Sequence, residues 1–189
     1  MNRRSILKAL GAISLAGGAR AAASSTTSPK NMTDIKALQT NWKSFLPAGA
    51  QVPSPSEPLK LGTDEWRKRL SAESFNVLRK EGTERAGTSP LNNEKRAGIF
   101  ACAGCGLPVF TSEMKFESGT GWPSFFTTIP GAFEHKKDFL LIYPRTEYHC
   151  ARCGGHHGHL FDDGPPPTGK RYCNNGVALA FIPRDGAKT

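Results

Sequence analysis

Cys150-Ala-Arg-Cys153-Gly-Gly-His156-His157-Gly-His159-Leu160-Phe161 continues through Asp162-Asp163-Gly164 and three prolines to Gly169-Lys170-Arg171-Tyr172-Cys173-Asn174-Asn175. This stretch carries a Cys-x2-Cys pair, three of the five histidines and one cysteine with no near partner. A second pair, Cys102-Ala-Gly-Cys105, lies upstream, with 44 residues between Cys105 and Cys150. Glycines flank both pairs (Gly104 and Gly106; Gly154 and Gly155), as tight knuckles require. Two such knuckles set four thiolates tetrahedrally at about 2.3 Å from a zinc ion. A closed four-sulfur site leaves no position for water, so Cys102, Cys105, Cys150 and Cys153 are predicted to hold one structural zinc. Binding worth about 10–16 kcal/mol in small zinc sites indicates how much folding such a metal can drive. The alternative is two disulfides, or redox-active pairs.

Around these pairs the texture is of short strands and turns. Ile99-Phe-Ala101 and Leu107-Pro-Val-Phe110 flank the first knuckle. Phe139 to Tyr143 and Thr146 to His149 precede the second, and Val177 to Ile182 closes the series. Apolar stretches punctuated by Gly, Pro and Asp argue for a mainly β domain of antiparallel sheets. Short helices come first. Thr63 caps one that begins Asp64-Glu65-Trp66, and Ser71 to Lys80 forms another, stopped at Gly82. Trp66, Leu70, Phe75 and Leu78 are expected in the core. Residues 62–189 form the domain.

Residues 24–61, with Pro47, Pro53, Pro55 and Pro58, read as a Pro/Ser/Thr-rich linker containing a short turn around Trp42. Residues 1–23 read as a signal peptide. Arg3-Arg4-Ser5-Ile6-Leu7-Lys8 precedes a Gly/Ala-rich apolar run, and Ala21-Ala22-Ala23 offers a cleavage site. The paired arginines resemble a twin-arginine export signal, with an ordinary secretory signal or a basic tail as the alternatives. Of the formal +9 charge, four units belong to Arg3, Arg4, Lys8 and Arg20, which leaves +5 for the exported chain. That is mildly basic, and no basic stripe interleaved with aromatics accompanies it, so no nucleic-acid partner is inferred. No apolar run reaches the ~18 residues of a spanning helix, so no stable membrane insertion is expected. A zinc deaminase is excluded, because neither Cys-x2-Cys follows a proline. Export implies an oxidising compartment, expected to be the periplasm, where five cysteines leave at least one unpaired.

With four sulfurs on zinc, Cys173 is free. A free thiol has a pKa of about 8.5, which adjacent cations lower. Strand alternation puts Arg171 and Cys173 on one face, where the guanidinium can stabilise a thiolate. His156 and His159, three apart in a glycine-rich turn, are candidate general acids. A buried structural cysteine, a surface cation and histidines satisfied by backbone are the bland readings of the same residues.

Three motifs together are informative: Ser118-Gly-Thr120-Gly-Trp122-Pro-Ser-Phe125, Cys150-x2-Cys153-x2-His156-x-Gly-His159-Leu-Phe-x-Asp163-Gly-Pro, and Arg171-Tyr-Cys173-x-Asn175. With Gly82-Thr-Glu84-Arg85 and Phe110-x5-Phe116 upstream, the chain from about Thr63 to Ile182 resembles the peptide-methionine (R)-S-oxide reductases, methionine sulfoxide reductase type B. The resemblance implies two antiparallel sheets (a β-tent, Mss4-like) stapled by the four-cysteine zinc. It implies Cys173 as the nucleophile, with His156 and His159 around the sulfoxide oxygen. Arg171 and Asn175 would support the site, and Trp122 would be an apolar wall for the substrate methyl. The implied substrate is methionine-R-sulfoxide, in proteins or peptides, reduced through a sulfenic acid on Cys173. Many members carry a resolving cysteine where this chain has Thr120, so the implied reductant is an external small thiol or thioredoxin-like partner. His157 and Asn174 also depart from the family pattern. The competing functional reading is an exported, non-catalytic zinc-binding interaction module.

Overall fold

Phe100, Val109, Phe110 and Phe125 are wholly buried, and the strands that carry them set the architecture. The computed structural model describes residues 31–138 and 145–185. The expected signal peptide and the Phe139–Tyr143 strand therefore lie outside the described residues. β1 (Gly98–Cys102) sits between β2 (Pro108–Thr111) and β9 (Leu179–Pro183) in a three-stranded sheet. The larger sheet has six strands: β3 (Lys115–Phe116), β4 (Ser124–Phe125), β8 (Arg171–Asn174), β7 (His156–Phe161), β6 (Arg145–Cys150) and β5 (Phe133–Asp138), in that spatial order. All the pairings are antiparallel. The expected fold class is therefore observed.

The two sheets meet through aromatic rings. Phe110 of the small sheet stacks on Phe125 of the large one, with centroids 3.8 Å apart, and Phe100 approaches Phe125 edge-on at 5.1 Å. Full burial of such a side chain contributes about 1.5–3 kcal/mol, so this cluster accounts for much of the hold between the layers.

The helices differ from expectation in detail. α2 (Thr63–Arg69) takes Gly62 as its N-cap, because Glu65 reaches back to accept the Gly62 N–H at 2.8 Å; Thr63 is already helical. α3 (Ala72–Lys80) is capped by the Ser71 hydroxyl, which accepts the Ser74 N–H. It ends with Glu81, not Gly82, in the left-handed conformation. Trp66, Phe75 and Leu78 are buried as expected, while Leu70 packs at the core's edge.

Residues 31–61 of the expected linker are ordered structure. α1 (Met32–Thr40) has a complete capping box at Asn31 and buries Ile35. Gln39 donates to the Thr127 hydroxyl, Phe45 is buried, and the Leu59 N–H bonds Arg152 O at 2.8 Å. The prolines punctuate a segment that lies along the domain. Among the described residues, no helix is long and apolar enough to cross a membrane.

Candidate active site and metal centre

The first knuckle joins β1 to β2, and the second joins β6 to β7, so each sheet supplies two sulfurs. In the first, the Cys105 and Gly106 N–H groups both bond Cys102 O; in the second, the Gly154 N–H bonds Cys150 O at 2.7 Å. Gly106 and Gly154 take positive φ (75° and 66°), which lets each turn close. The Cys102 and Cys153 sulfurs stand 3.7 Å apart, those of Cys105 and Cys150 3.5 Å, and all four lie within 4.8 Å of one another. A tetrahedron with metal–sulfur bonds of about 2.3 Å has edges of about 3.8 Å. All four are buried, all are free of disulfides, and their separations exceed an S–S bond of about 2 Å. The donor set fits one zinc ion and not two disulfides.

Cys173 stands apart from this cluster, half-buried on β8. Its direct partners are Ser124 on β4 and His159 on β7. Paired residues in antiparallel strands project to the same face, so the thiol and His159 share a side of the sheet. Gly158 makes this close pairing possible, since a Cβ there would fall 2.0 Å from Cys173 O. His156 and His159 occupy a strand rather than the expected turn. An ordinary strand would send residues three apart to opposite faces. The register shifts at Tyr148/His149, so that His149 faces His156 and Glu147 faces His159. The resulting bulge turns both histidines to one side, with their rings 5.4 Å apart.

Arg171 lies on the Cys173 face, as alternation requires. Its Nε and Nη2 donate to the two Asp163 oxygens at 2.8 Å each, and its guanidinium stacks over Phe161 at 4.3 Å. The expected lowering of the Cys173 pKa is reversed. Burial pushes the thiol upward, and this exceeds the downward pull of Arg171 and of the neighbouring Thr120 hydroxyl.

The rest of the site is a brace centred on Glu84, which sequence reasoning noted only as part of a motif. Its carboxylate accepts the Gly176 and Val177 N–H groups at 2.6 and 2.9 Å. Its own N–H goes to Asn175 Oδ1, and its carbonyl accepts the Trp122 indole N–H at 3.2 Å. The Asn175 amide donates to His157 O, so both its ends are engaged by backbone and the residue supports the strand exit. Trp122 is half-buried, held by its nitrogen.

One residue beside the thiol carries no role in the sequence reading. Glu147 is buried between His149 and His159, at 3.1 and 3.6 Å from their Nε2 atoms. The signal available was its two-residue spacing from His149 on a strand leading into Cys150. His157 points to the opposite face, beside Phe133 and Tyr148. Its Nδ1 meets Asn174 Oδ1, which also accepts the Tyr148 hydroxyl. Burial lowers its pKa to about 4 and keeps the ring neutral, so His157 belongs to the core together with Asn174.

A zinc-stapled pair of sheets that offers one uncommitted thiol opposite a histidine defines a thiol-based oxidoreductase. Comparison with known proteins makes this specific: the SelR domain model matches residues 70–183. The chain is 42% identical over 157 residues to the chloroplastic peptide methionine sulfoxide reductase B1 of Arabidopsis thaliana, covering 82% of this chain and 78% of that protein. It is 52% identical over 125 residues to a peptide methionine sulfoxide reductase MsrB of Pseudomonas putida strain W619, covering 66% and 94%. The corresponding values for the Agrobacterium fabrum protein are 48% over 120 residues, 63% and 89%. This chain belongs to the SelR family, the peptide methionine sulfoxide reductases of type B.

Proposed function

We propose that this chain reduces methionine-R-sulfoxide in oxidised proteins, with Cys173 as nucleophile and an external thiol as reductant. The observation that carries the reading is the pairing of half-exposed Cys173 with His159 across β8 and β7, while the other four sulfurs are gathered elsewhere. A sulfoxide oxygen leaves poorly unless protonated, so attack on sulfur needs a neighbouring acid. His159 and His156 supply that proton. The Cys173 sulfur attacks the sulfoxide sulfur, methionine departs, and the oxygen remains on Cys173 as a sulfenic acid. One external thiol displaces it as water and forms a mixed disulfide. A second thiol then releases Cys173 and leaves as the oxidised disulfide. Arg171, held by Asp163, lowers the cost of the thiolate. Trp122 forms the apolar wall for the methyl group, and a wall on one side with donors on the other supports choice of the R epimer.

The four-cysteine zinc supplies no step; Cys102, Cys105, Cys150 and Cys153 hold the two sheets in register. The export reading rests on the Arg3-Arg4 segment and the alanines before Ser24. An exported enzyme meets envelope proteins exposed to oxidants, which supports protein-bound substrate.

The test is turnover of separated epimers with dithiothreitol, with zinc measured on the same sample. The R epimer is consumed and the S epimer is not. Cys173→Ser abolishes turnover while zinc stays at one per chain. Turnover retained by that variant would favour the zinc-binding module instead.

A further inference from the structure

Beside the thiol, β6 and β7 gather a second set of donors that the reduction leaves partly unused. Glu147 and His149 alternate onto one face of β6, and the bulge sets His156 opposite His149. One ligand atom from each of the three lies within 4.8 Å of the other two. Glu147 and His156 are buried, while the His149 side chain keeps 16% of its exposure and provides a way in from solvent.

Both ring nitrogens of His149 face oxygen atoms. Its Nδ1 faces Gly154 O at 3.4 Å, and its Nε2 faces Glu147 Oε2 at 3.1 Å. With hydrogen on Nδ1, Nε2 carries a lone pair; with hydrogen on Nε2, it donates to Glu147. In either form Nε2 and Glu147 Oε2 stand side by side, with a His156 nitrogen within reach, so an ion entering there can take all three as ligands. Metal-binding histidines usually donate their other N–H to a carbonyl or carboxylate, which fixes tautomer and ring orientation. Ligating carboxylates are themselves hydrogen-bonded, and here His159 approaches the second Glu147 oxygen at 3.6 Å. Each of the two ligands thus has a polar neighbour outside the trio, Gly154 O for His149 and the His159 ring for Glu147. Two imidazoles with one carboxylate suit zinc, copper, nickel or cobalt better than calcium or magnesium.

We propose that Glu147, His149 and His156 form a second metal site, distinct from the four-cysteine centre, for a divalent first-row transition ion. An ion bound there inhibits the enzyme, because it withdraws His156 from the sulfoxide. The inhibition rests on the reductase reading; the binding does not.

Zinc itself is the probe. The full chain, already holding its cysteine-bound zinc, is dialysed against free Zn2+ at tens of micromolar, and bound metal is counted by elemental analysis. Wild type holds two ions per chain and His149→Asn holds one. Glu147→Gln, made in parallel, also holds one, so the count survives if either variant folds poorly. Methionine formed in a single turnover without added thiol, which avoids chelation by reductant, gives the second readout. Loss of one acid–base group slows such a step by about a hundred-fold, so zinc slows wild type to that extent and leaves His149→Asn unaffected. One ion in wild type, or a second ion retained by both variants, overturns the site. Two ions with undiminished single turnover, or equal inhibition of wild type and His149→Asn, overturns the inhibition. A chain that binds two ions yet makes no methionine refutes the reductase reading and leaves the site standing.

Discussion

Cys173 pairs directly with Ser124 across β8 and β4, and the Thr120 hydroxyl beside the thiol pulls its pKa downward against burial. The threonine hydroxyl also meets Ser118 Oγ at 2.8 Å, and Ser118 in turn meets Ser124, the β4 partner of Cys173. A hydroxyl network therefore occupies the place from which a resolving cysteine would attack. The remaining four sulfurs are buried together in the metal centre.

One turnover without reductant is accordingly expected to leave Cys173 as a sulfenic acid, trapped by a dimedone-type reagent and seen by peptide mass spectrometry. An internal disulfide to Cys173 in wild type would refute this. Because Thr120 belongs to the hydroxyl network beside Cys173, Thr120→Cys is expected to convert the product to a disulfide between the introduced thiol and Cys173, with loss of two free thiols per turnover. Disulfide formation requires Cβ atoms about 3.5–4.5 Å apart, so absence of the bridge in that variant would show that the pair does not close.

The resting thiol is expected to be protonated at neutral pH. Burial raises the Cys173 pKa and Arg171 opposes it. Since thiolate is the alkylating species, the rate at Cys173 should climb with pH through an apparent pKa above the ordinary thiol value of about 8.5. Removing the guanidinium removes a stabiliser of the anion, so Arg171→Met moves the midpoint further alkaline. A shift of one unit corresponds to about 1.4 kcal/mol. Alkylation of the peptide bearing Cys173, followed across pH, measures it; a midpoint below about 8.5, or an acid shift in Arg171→Met, would contradict the dominance of burial.

Sequence pattern exposed the two cysteine knuckles because their spacing encodes ligand geometry, and it exposed the small sheet because Ile99, Phe100, Val109 and Phe110 face a core. β5 was hidden: Phe133-Glu-His-Lys-Lys-Asp138 has one apolar residue at its start and charged or polar residues beyond it. β7 was hidden by His157-Gly158, which reads as a turn although the glycine serves close strand approach. Pairing with β6 stabilises both strands, and such long-range contact leaves no local signature. The face shared by His156 and His159 depends on the bulge, which arises from registry between strands. α1 was masked by the polar and proline-rich residues around it, while its docking rests on Ile35 and Gln39.

Metal removal should unfold the domain rather than merely inactivate it. The four sulfurs connect the β1–β2 turn of one sheet to the β6–β7 turn of the other. Metal binding of about 10 kcal/mol or more matches the whole stability of an ordinary domain, about 5–15 kcal/mol. Chelated protein, or Cys105→Ser, is expected to lose its cooperative thermal transition, while Cys173→Ser keeps it. Calorimetry and elemental analysis on the same samples check this. A sharp transition in the metal-free chain near that of the holoprotein would mean that the aromatic layer suffices.

The Glu84 brace links Trp122, the proposed substrate wall, to the strand of Cys173, the proposed nucleophile, and its loss should affect both stability and turnover. The carboxylate holds the Gly176 and Val177 N–H groups just beyond β8, while the same residue's backbone holds Asn175 and the Trp122 indole. Hydrogen bonds to a charged group contribute about 1.5–3 kcal/mol each. The group is half-buried, so partial replacement by water reduces the loss in Glu84→Ala to about 2–4 kcal/mol in all. At about 2–4 °C per kcal/mol for a domain of this size, the melting temperature should fall by about 5–15 °C. Glu84→Gln keeps one acceptor and should lose about half as much. The Asn175 and Trp122 bonds use backbone atoms that survive both substitutions, so the fold and the zinc should persist. What shifts is the loop after β8, and through it the alignment of Cys173 with Trp122. Misplacement by about an ångström can cost a hundred-fold in rate, so kcat should drop more than substrate affinity. Single-turnover rates against sulfoxide concentration separate the two, and an unchanged maximal rate in Glu84→Ala would reduce the brace to a purely structural contact.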